Sequence, residues 1–181
     1  MADTSDTALL AALAAIAERG AIGERSLPVA VAHAEQFVAA LPADARQAVD
    51  LGSGGGLPGL VIAARCSWLE VTLVERRTRR ADLLRRAVRS LELSERVRVV
   101  DTDVAEVARQ HPRGFDAVTA RSFAAPPITA RWASALLRSG GILIVSEPPE
   151  DDPERWPQRV LEPLELVDVG RDQGIRCFRR R

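Results

Sequence analysis

The sequence predicts an α/β fold: an open, mostly parallel sheet with helices on both faces, finished by an antiparallel hairpin and preceded by a short helical extension. Three observations point there. From residue 48 onward, short apolar runs of strand length alternate with segments of helical length. A glycine-rich turn, GSGGGLPG over residues 52–59, follows the first of those runs and leads into a helical segment. The two final apolar runs are separated by a turn alone, which is hairpin spacing.

Taken in order, Thr7 to Arg19 suits an alanine-rich helix with Gly20 as its C-terminal stop, and Pro28 to Ala40 suits a second helix closed by Pro42. These form an N-terminal extension over residues 1–42, leaving 43–181 for the main domain. Strands are expected at Ala48–Leu51, Glu70–Glu75, Val97–Val100, Ala117–Ala120 and Ile142–Val145, each an apolar run suited to burial between two helical layers. Helices Gly59–Ala64, Arg79–Leu91, Val104–Gln110 and Ile128–Leu137 fill the intervals. The proline-rich, acidic segment Glu147–Pro157 reads as a loop. The tail reads as Leu164–Val169 and Ile175–Arg179 joined through a turn at Arg171–Gly174.

Composition bounds the class of protein. With 181 residues, 46% of them hydrophobic, the chain holds one domain with a proper core and little more. Its 25 basic residues balance 25 acidic ones, so no net field advertises nucleic acid or membrane. All 25 are arginine, for lysine is absent. Cys66 and Cys177 are too few for a disulfide framework and lack the paired spacing of a zinc site, so no metal is expected and a reducing compartment fits. The apolar stretch Ala8–Ala17 follows Asp3 and Asp6 where a signal peptide carries positive charge, and it is too short to span a membrane. A soluble cytoplasmic protein is expected.

The glycine turn is a cradle for a nucleotide-like group. Glycines let the backbone turn sharply and approach a ligand, the helix that follows presents unbonded N–H groups, and Pro58 suits its first turn. Gly54, Gly56 and Gly59 match the dinucleotide spacing, and Glu75 lies about 20 residues on, so a nicotinamide-dependent oxidoreductase stands as an alternative. S-adenosylmethionine fits better. Asp50 closely precedes the glycines, where a carboxylate faces the cationic methionine end of that cofactor and repels a pyrophosphate. The chain also lacks room for a dehydrogenase's second domain. The layout as a whole is that of the class I, Rossmann-like SAM-dependent methyltransferases. Glu75 then accepts the ribose hydroxyls, the alternative being a strand-end acid paired with Arg76 or Arg77. Asp103, with Val104 and Ala105 opening the next helix, meets the adenine edge or caps that helix, and the two roles are compatible.

The stretches VDLGSGGGLPGLVIAA, VTLVERRTRRADLLRRAV and FDAVTARSFA resemble the bacterial small-subunit (16S) rRNA guanine-N7 methyltransferase family, the RsmG or GidB type. The Gly-Leu-Pro-Gly continuation of the loop and the block from Phe115 to Arg121 are the more specific parts. The resemblance implies cofactor contacts at Gly52, Gly54 and Leu57, adenine contacts from the backbone at Val104 and Ala105, and Arg121 in the active site; Gly56 is expected at the cofactor as part of the glycine loop itself. It also implies rRNA or the 30S subunit as partner. The chain departs from the family at Ser146-Glu147-Pro148-Pro149, where a Lys-Gly pair is usual, and at Ser122, where alanine is usual. Its N-terminal helices are short, with His33 as a remnant of the pattern.

Guanine N7 carries a free lone pair, so its methylation needs positioning rather than a general base. That agrees with Ala124-Ala125-Pro126-Pro127, which lacks the polar head and aromatic platform that exocyclic-amine methyltransferases place after the fourth strand. Arg121 either organises the reacting groups or pairs with Asp116 or Asp50. Arg76, Arg77, Arg79, Arg80, Arg85, Arg86 and Arg89 either meet RNA phosphates or form a solvated face, with Leu84, Ala87, Val88 and Leu91 as the buried stripe. His33 and His111 read as structural, and Trp132 and Trp156 as core or lid residues. A methyltransferase of small molecules or proteins is the other enzymatic alternative.

Overall fold

In the computed structural model, the described residues are 4–22, 26–150, 152 and 154–181. Helices α1 (Thr4–Ala17) and α2 (Leu27–Ala40) precede the alternating part: β1 (Gln47–Leu51), α3 (Gly59–Arg65), β2 (Glu70–Val74), α4 (Thr78–Ser90), β3 (Val97–Val100), α5 (Val104–Gln110), β4 (Phe115–Ala120), α6 (Pro126–Leu136) and β5 (Leu137–Ser146). A short helix α7 (Gln158–Leu161) and a 3₁₀ turn (Glu162–Leu164) lead to β6 (Leu166–Asp172) and β7 (Ile175–Arg180).

The strands form one sheet in the order β3-β2-β1-β4-β5-β7-β6. The first five run parallel, and β7 is antiparallel to both β5 and β6. Strand alternation sends apolar side chains to both faces. On one face Ala48, Val71, Leu73 and Ile144 join Leu60 and Ile62 of α3 and Leu84 of α4. Leu9, Leu13 and Ile16 of α1 and Ala34 and Phe37 of α2 belong to that same buried cluster. The N-terminal helices therefore share the sheet's core. The opposite face packs Val49, Leu51, Val118 and Leu143 against Val107 of α5 and Ala133 and Leu136 of α6.

Register fixes the row of residues on which the site is built. Leu51 pairs with Val74 on one side and Ala120 on the other, while Val74 pairs with Val100 and Ala120 with Val145. Gly52, Glu75, Asp101, Arg121 and Ser146 thus stand side by side at the carboxyl edge of the sheet. The order reverses between β1 and β4, the switch point at which open α/β sheets bind ligands.

Several expected boundaries move. Helix α1 runs Thr4–Ala17 rather than Thr7–Arg19, because the chain already turns off before Gly20, which has φ 71°. Strand β2 stops at Val74, and Glu75 is the first residue beyond it. Strand β5 begins at Leu137, the residue at which the sequence pattern ends helix Ile128–Leu137, since Leu137 already has extended ψ and pairs with Phe115. The hairpin shifts too. Leu164 ends the 3₁₀ turn Glu162–Leu164, which holds Pro163, and Glu165 follows it at φ 58°, so β6 starts at Leu166 and continues through Arg171 to Asp172. Its turn is the pair Gln173-Gly174, both with positive φ, the geometry that matches strand twist in two-residue hairpins. Helix α7 has no counterpart in the sequence pattern, four residues being too few to carry a periodic signal. No helix or strand forms among the described residues of 147–157.

Candidate active site

The glycine loop is tied at both ends. Ser53 N donates to Val74 O at 2.9 Å, Gly56 N to Ser53 O at 2.7 Å, and Ser53 Oγ to Asp50 O at 3.0 Å. Gly52, Gly54 and Gly56 take φ of 64°, 53° and 90°, the left-handed region that glycine enters without a Cβ penalty. At Gly54 there is also room: a Cβ there would meet nothing nearer than Gly52 O at 3.6 Å and Arg80 Nη1 at 3.9 Å.

Asp50 lies beneath this loop, only 1% exposed. Its Oδ1 accepts a hydrogen bond from Thr119 Oγ1 at 2.7 Å, while Oδ2 is buried and has no hydrogen-bond partner among the described residues. Burial pushes the carboxyl up to about 6 from its ordinary 3.8, against the pull of the Thr119 hydrogen bond and the Arg121 charge. Asp116, the other acid proposed for Arg121, sits at the far end of β4. It accepts from Arg46 N at 2.6 Å and Gln47 N at 2.8 Å and pairs with Arg138. Those bonds hold its carboxyl below the usual range even though its partial burial pulls the other way.

Glu75 is 5% exposed and clamps the loop. Its Oε2 accepts from Gly54 N at 3.0 Å and its Oε1 from Arg77 N at 2.8 Å. Each carboxylate oxygen takes a second hydrogen bond, so two acceptor positions remain. Asp103 is the N-cap of α5, accepting from Ala105 N at 2.9 Å. Val104 is buried behind it and Ala105 half-buried.

A cavity of about 940 Å³ opens at the switch point. Gly52, Gly54, Leu57 and Arg121 of the expected site line it, whereas Asp50, Gly56, Glu75, Asp103, Val104 and Ala105 do not. Asp50 acts from below the loop, and the other acids follow β2 and β3, to the side. The cavity spreads instead toward β5 and the N-terminal helices, and its wall includes residues for which the sequence suggests no such place: Arg80, Phe123, Glu147, Arg155 and Trp156. Glu147 is the centre of that wall. Its Oε1 accepts from Trp156 Nε1 at 2.9 Å and Arg155 Nε at 3.0 Å, and Arg176 Nε stands 3.8 Å from Oε2. Trp156 is thus a core residue, the first of its two expected places, and its buried ring, packed on Phe178 at 4.6 Å between centroids, backs the cavity wall. His33 also reaches the cavity, with Nε2 3.4 Å from Gly174 O, while His111 ends α5 with its ring edge-on to Phe115.

Solved structures with this fold include an O-methyltransferase from Bacillus cereus in complex with SAH (TM-score 0.65, 18% identity, 96% of this chain and 91% of that one). An O-methyltransferase family protein from Burkholderia thailandensis is similar (TM-score 0.67, 18% identity, 84% and 55% covered). The chain therefore shares the fold of these two methyltransferase structures. In sequence it is 43% identical over 99 residues to a ribosomal RNA small subunit methyltransferase G of Rubrobacter xylanophilus, covering 54% of this chain and 38% of that protein. It is 37% identical over 132 residues to the one from Stenotrophomonas maltophilia, covering 70% and 61%. The chain spans less than two thirds of the length of these relatives. The model of the family described as rRNA small subunit methyltransferase G, GidB, matches residues 23–152, a range that takes in the glycine loop, the carboxylate after β2 and Arg121. This chain belongs to that family.

Proposed function

We propose that the chain transfers a methyl group from S-adenosylmethionine to N7 of a guanine in small-subunit rRNA, acting in the cytoplasm on the RNA or the 30S subunit. The observation that carries this reading is the cavity beside the glycine loop, which opens on the β4–β5 side with Arg121 in its wall. The residues present fit the cofactor. The open side of Gly54 is a cradle, the orphan Oδ2 of buried Asp50 offers negative charge beneath it, and Glu75 retains two acceptor positions for a diol. Bound there, the cofactor supplies an electrophilic methyl group.

The protein's share is positioning and exclusion of water. N7 has its lone pair at neutral pH, so no side chain needs to remove a proton. Arg121 orients base, phosphate or cofactor carboxylate with a planar fork of donors. Asp103, Val104 and Ala105 serve the adenine end, with Asp103 capping α5 at the same time. The test is incorporation of tritiated methyl into purified 30S subunits and into naked 16S rRNA, followed by nucleoside analysis. 7-Methylguanosine is expected; cofactor binding without label in either substrate would overturn the rRNA reading.

Glu75→Ala is expected to weaken S-adenosylhomocysteine binding by roughly 1.5–3 kcal/mol, the cost of losing hydrogen bonds to a charged acceptor. Glu75→Gln, which keeps one acceptor, is expected to recover part of it. Calorimetric titration reads both, and wild-type affinity in the alanine variant would leave Glu75 as a loop clamp alone.

Contact with RNA is supported by α4. Arg79, Arg86 and Arg89 are exposed on it, after exposed Arg76 and Arg77, and only Asp82 opposes them within the helix. A chain of zero net charge has thus gathered positive charge along α4, whose Arg80 lines the cavity wall. Replacing Arg86 and Arg89 by Gln is expected to lower the slope of log affinity against log salt by roughly one for each phosphate that the variant no longer neutralises. Filter binding of a 16S fragment across a salt series measures it; an unchanged slope would make α4 a solvated face.

A further inference from the structure

We propose that Phe123 is the platform on which the acceptor nucleobase stacks, a role that rests on the rRNA reading above. The ring reaches the cavity through a local reversal of the chain. Ser122 follows Arg121 with φ 56°, a conformation uncommon outside glycine, asparagine and aspartate. With that residue turned back, Arg121 and Phe123 on either side of it both line the same cavity. Phe123 then lies over the glycine loop: a Cβ on Gly52 would stand 2.9 Å from Phe123 Cδ2, closer than such atoms approach. The bare backbone of Gly52 is what allows the ring to rest there.

The ring is half-buried. It packs against the apolar cluster of β1, β4 and α6 and still presents surface to the cavity. The other large rings in the wall are committed elsewhere. Trp156 is buried, packed on Phe178, and donates its N–H to Glu147. His33 stands edge-on to Phe37 with Nε2 near Gly174 O. Phe123 carries no polar atom to satisfy, and any nucleobase offers it a π face.

An unstacked base gains from such a surface. A base whose N7 is to be held in line with a methyl donor inside a cavity leaves its own stack to enter, and an aromatic face replaces the stacking it loses. The Arg121 fork beside the ring supplies the polar half of the grip, so that one strand-to-helix connection delivers both. The loop glycine below keeps the platform next to the cradle.

Three variants test this, each assayed for methyl transfer to 30S subunits, for S-adenosylhomocysteine affinity and for thermal unfolding. Phe123→Ala is expected to lower kcat/KM for RNA roughly 5- to 150-fold, the range that loss of one base–aromatic stack produces, with cofactor affinity kept within about twofold. Phe123→Leu keeps the packing but not the π face and is expected to fall nearly as far. Phe123→Trp is expected to return to within a few-fold of the parent, and its added indole fluorescence to be quenched by RNA. Leucine performing as well as phenylalanine would make the ring core filler, and a matching loss of cofactor affinity would assign it to the cofactor; either overturns the proposal. If Phe123→Ala fails to fold, the leucine and tryptophan variants decide. Failure of the parent to label rRNA would remove the rRNA reading itself, which these three variants cannot do.

Discussion

Arg121→Ala is expected to lower methyl transfer by about 10²-fold, the scale on which losing in-line placement of the reacting groups costs rate. The side chain stands in the cavity wall in the first position after β4, level with Gly52 and Glu75 across the sheet edge. Its charge already acts on Asp50, opposing the effect of burial. Arg121→Lys should rescue little, because a point charge does not reproduce a planar fork. Single-turnover methyl transfer, S-adenosylhomocysteine titration and thermal unfolding together separate the possibilities. The melting temperature should move by less than about 4 °C, the shift for about 1 kcal/mol in a chain of this size. A larger fall in melting temperature with modest loss of rate would make Arg121 a structural counter-ion of Asp50.

The second large effect concerns Asp50 itself. A carboxyl whose folded value is raised from 3.8 to about 6 binds its proton more tightly in the native state than in the unfolded one. The contribution of Asp50 to stability is therefore greatest below the unfolded value and falls as pH rises from about 4 to about 6, by about 3 kcal/mol at most, and is flat above that. Asp50→Asn removes the ionisation and can retain the Thr119 hydrogen bond. It is expected to abolish that pH dependence and to raise the melting temperature at pH 8 by roughly 6–12 °C. The same change should weaken cofactor binding, since the buried negative charge beneath the loop is gone. In wild type, cofactor affinity should rise as pH increases through about 6. Melting curves and titrations at pH 5 and pH 8 measure both arms. An asparagine variant no more stable than wild type at pH 8 would mean that Asp50 ionises there without cost.

What the sequence makes legible here is set by range along the chain. The five parallel strands announce themselves as local apolar runs, and the glycine loop as a local composition. Asp103 shows its capping role within three residues, through the Ala105 amide. Phe123 does not, because its role depends on Ser122 taking a left-handed turn and on Gly52 lying below it, and neither the turn nor the approach has a local signature. Glu147 is visible as a departure from the family pattern, but its burial among Arg155, Trp156 and Arg176 comes from the way the acidic segment folds back onto β7. The Glu75 carboxylate is legible as a strand-end acid. That it also grips the Gly54 amide requires β1 and β2 to be level, which is a property of register.

The position of β7 between β5 and β6 bears on how such a sheet comes to be assembled. Ile142, Leu143, Ile144 and Val145 have one edge zipped to β4 and the other to Phe178, Cys177 and their neighbours, which are translated later than the other strands described. During synthesis the apolar edge of β5 therefore waits, with its N–H and C=O groups open to any extended segment, until the chain that covers it has left the ribosome. An uncovered edge of this kind templates strand addition from other molecules. Deleting residues 175–181 would fix that interval permanently, so that the shortened chain accumulates as insoluble aggregate instead of as a slightly smaller soluble protein.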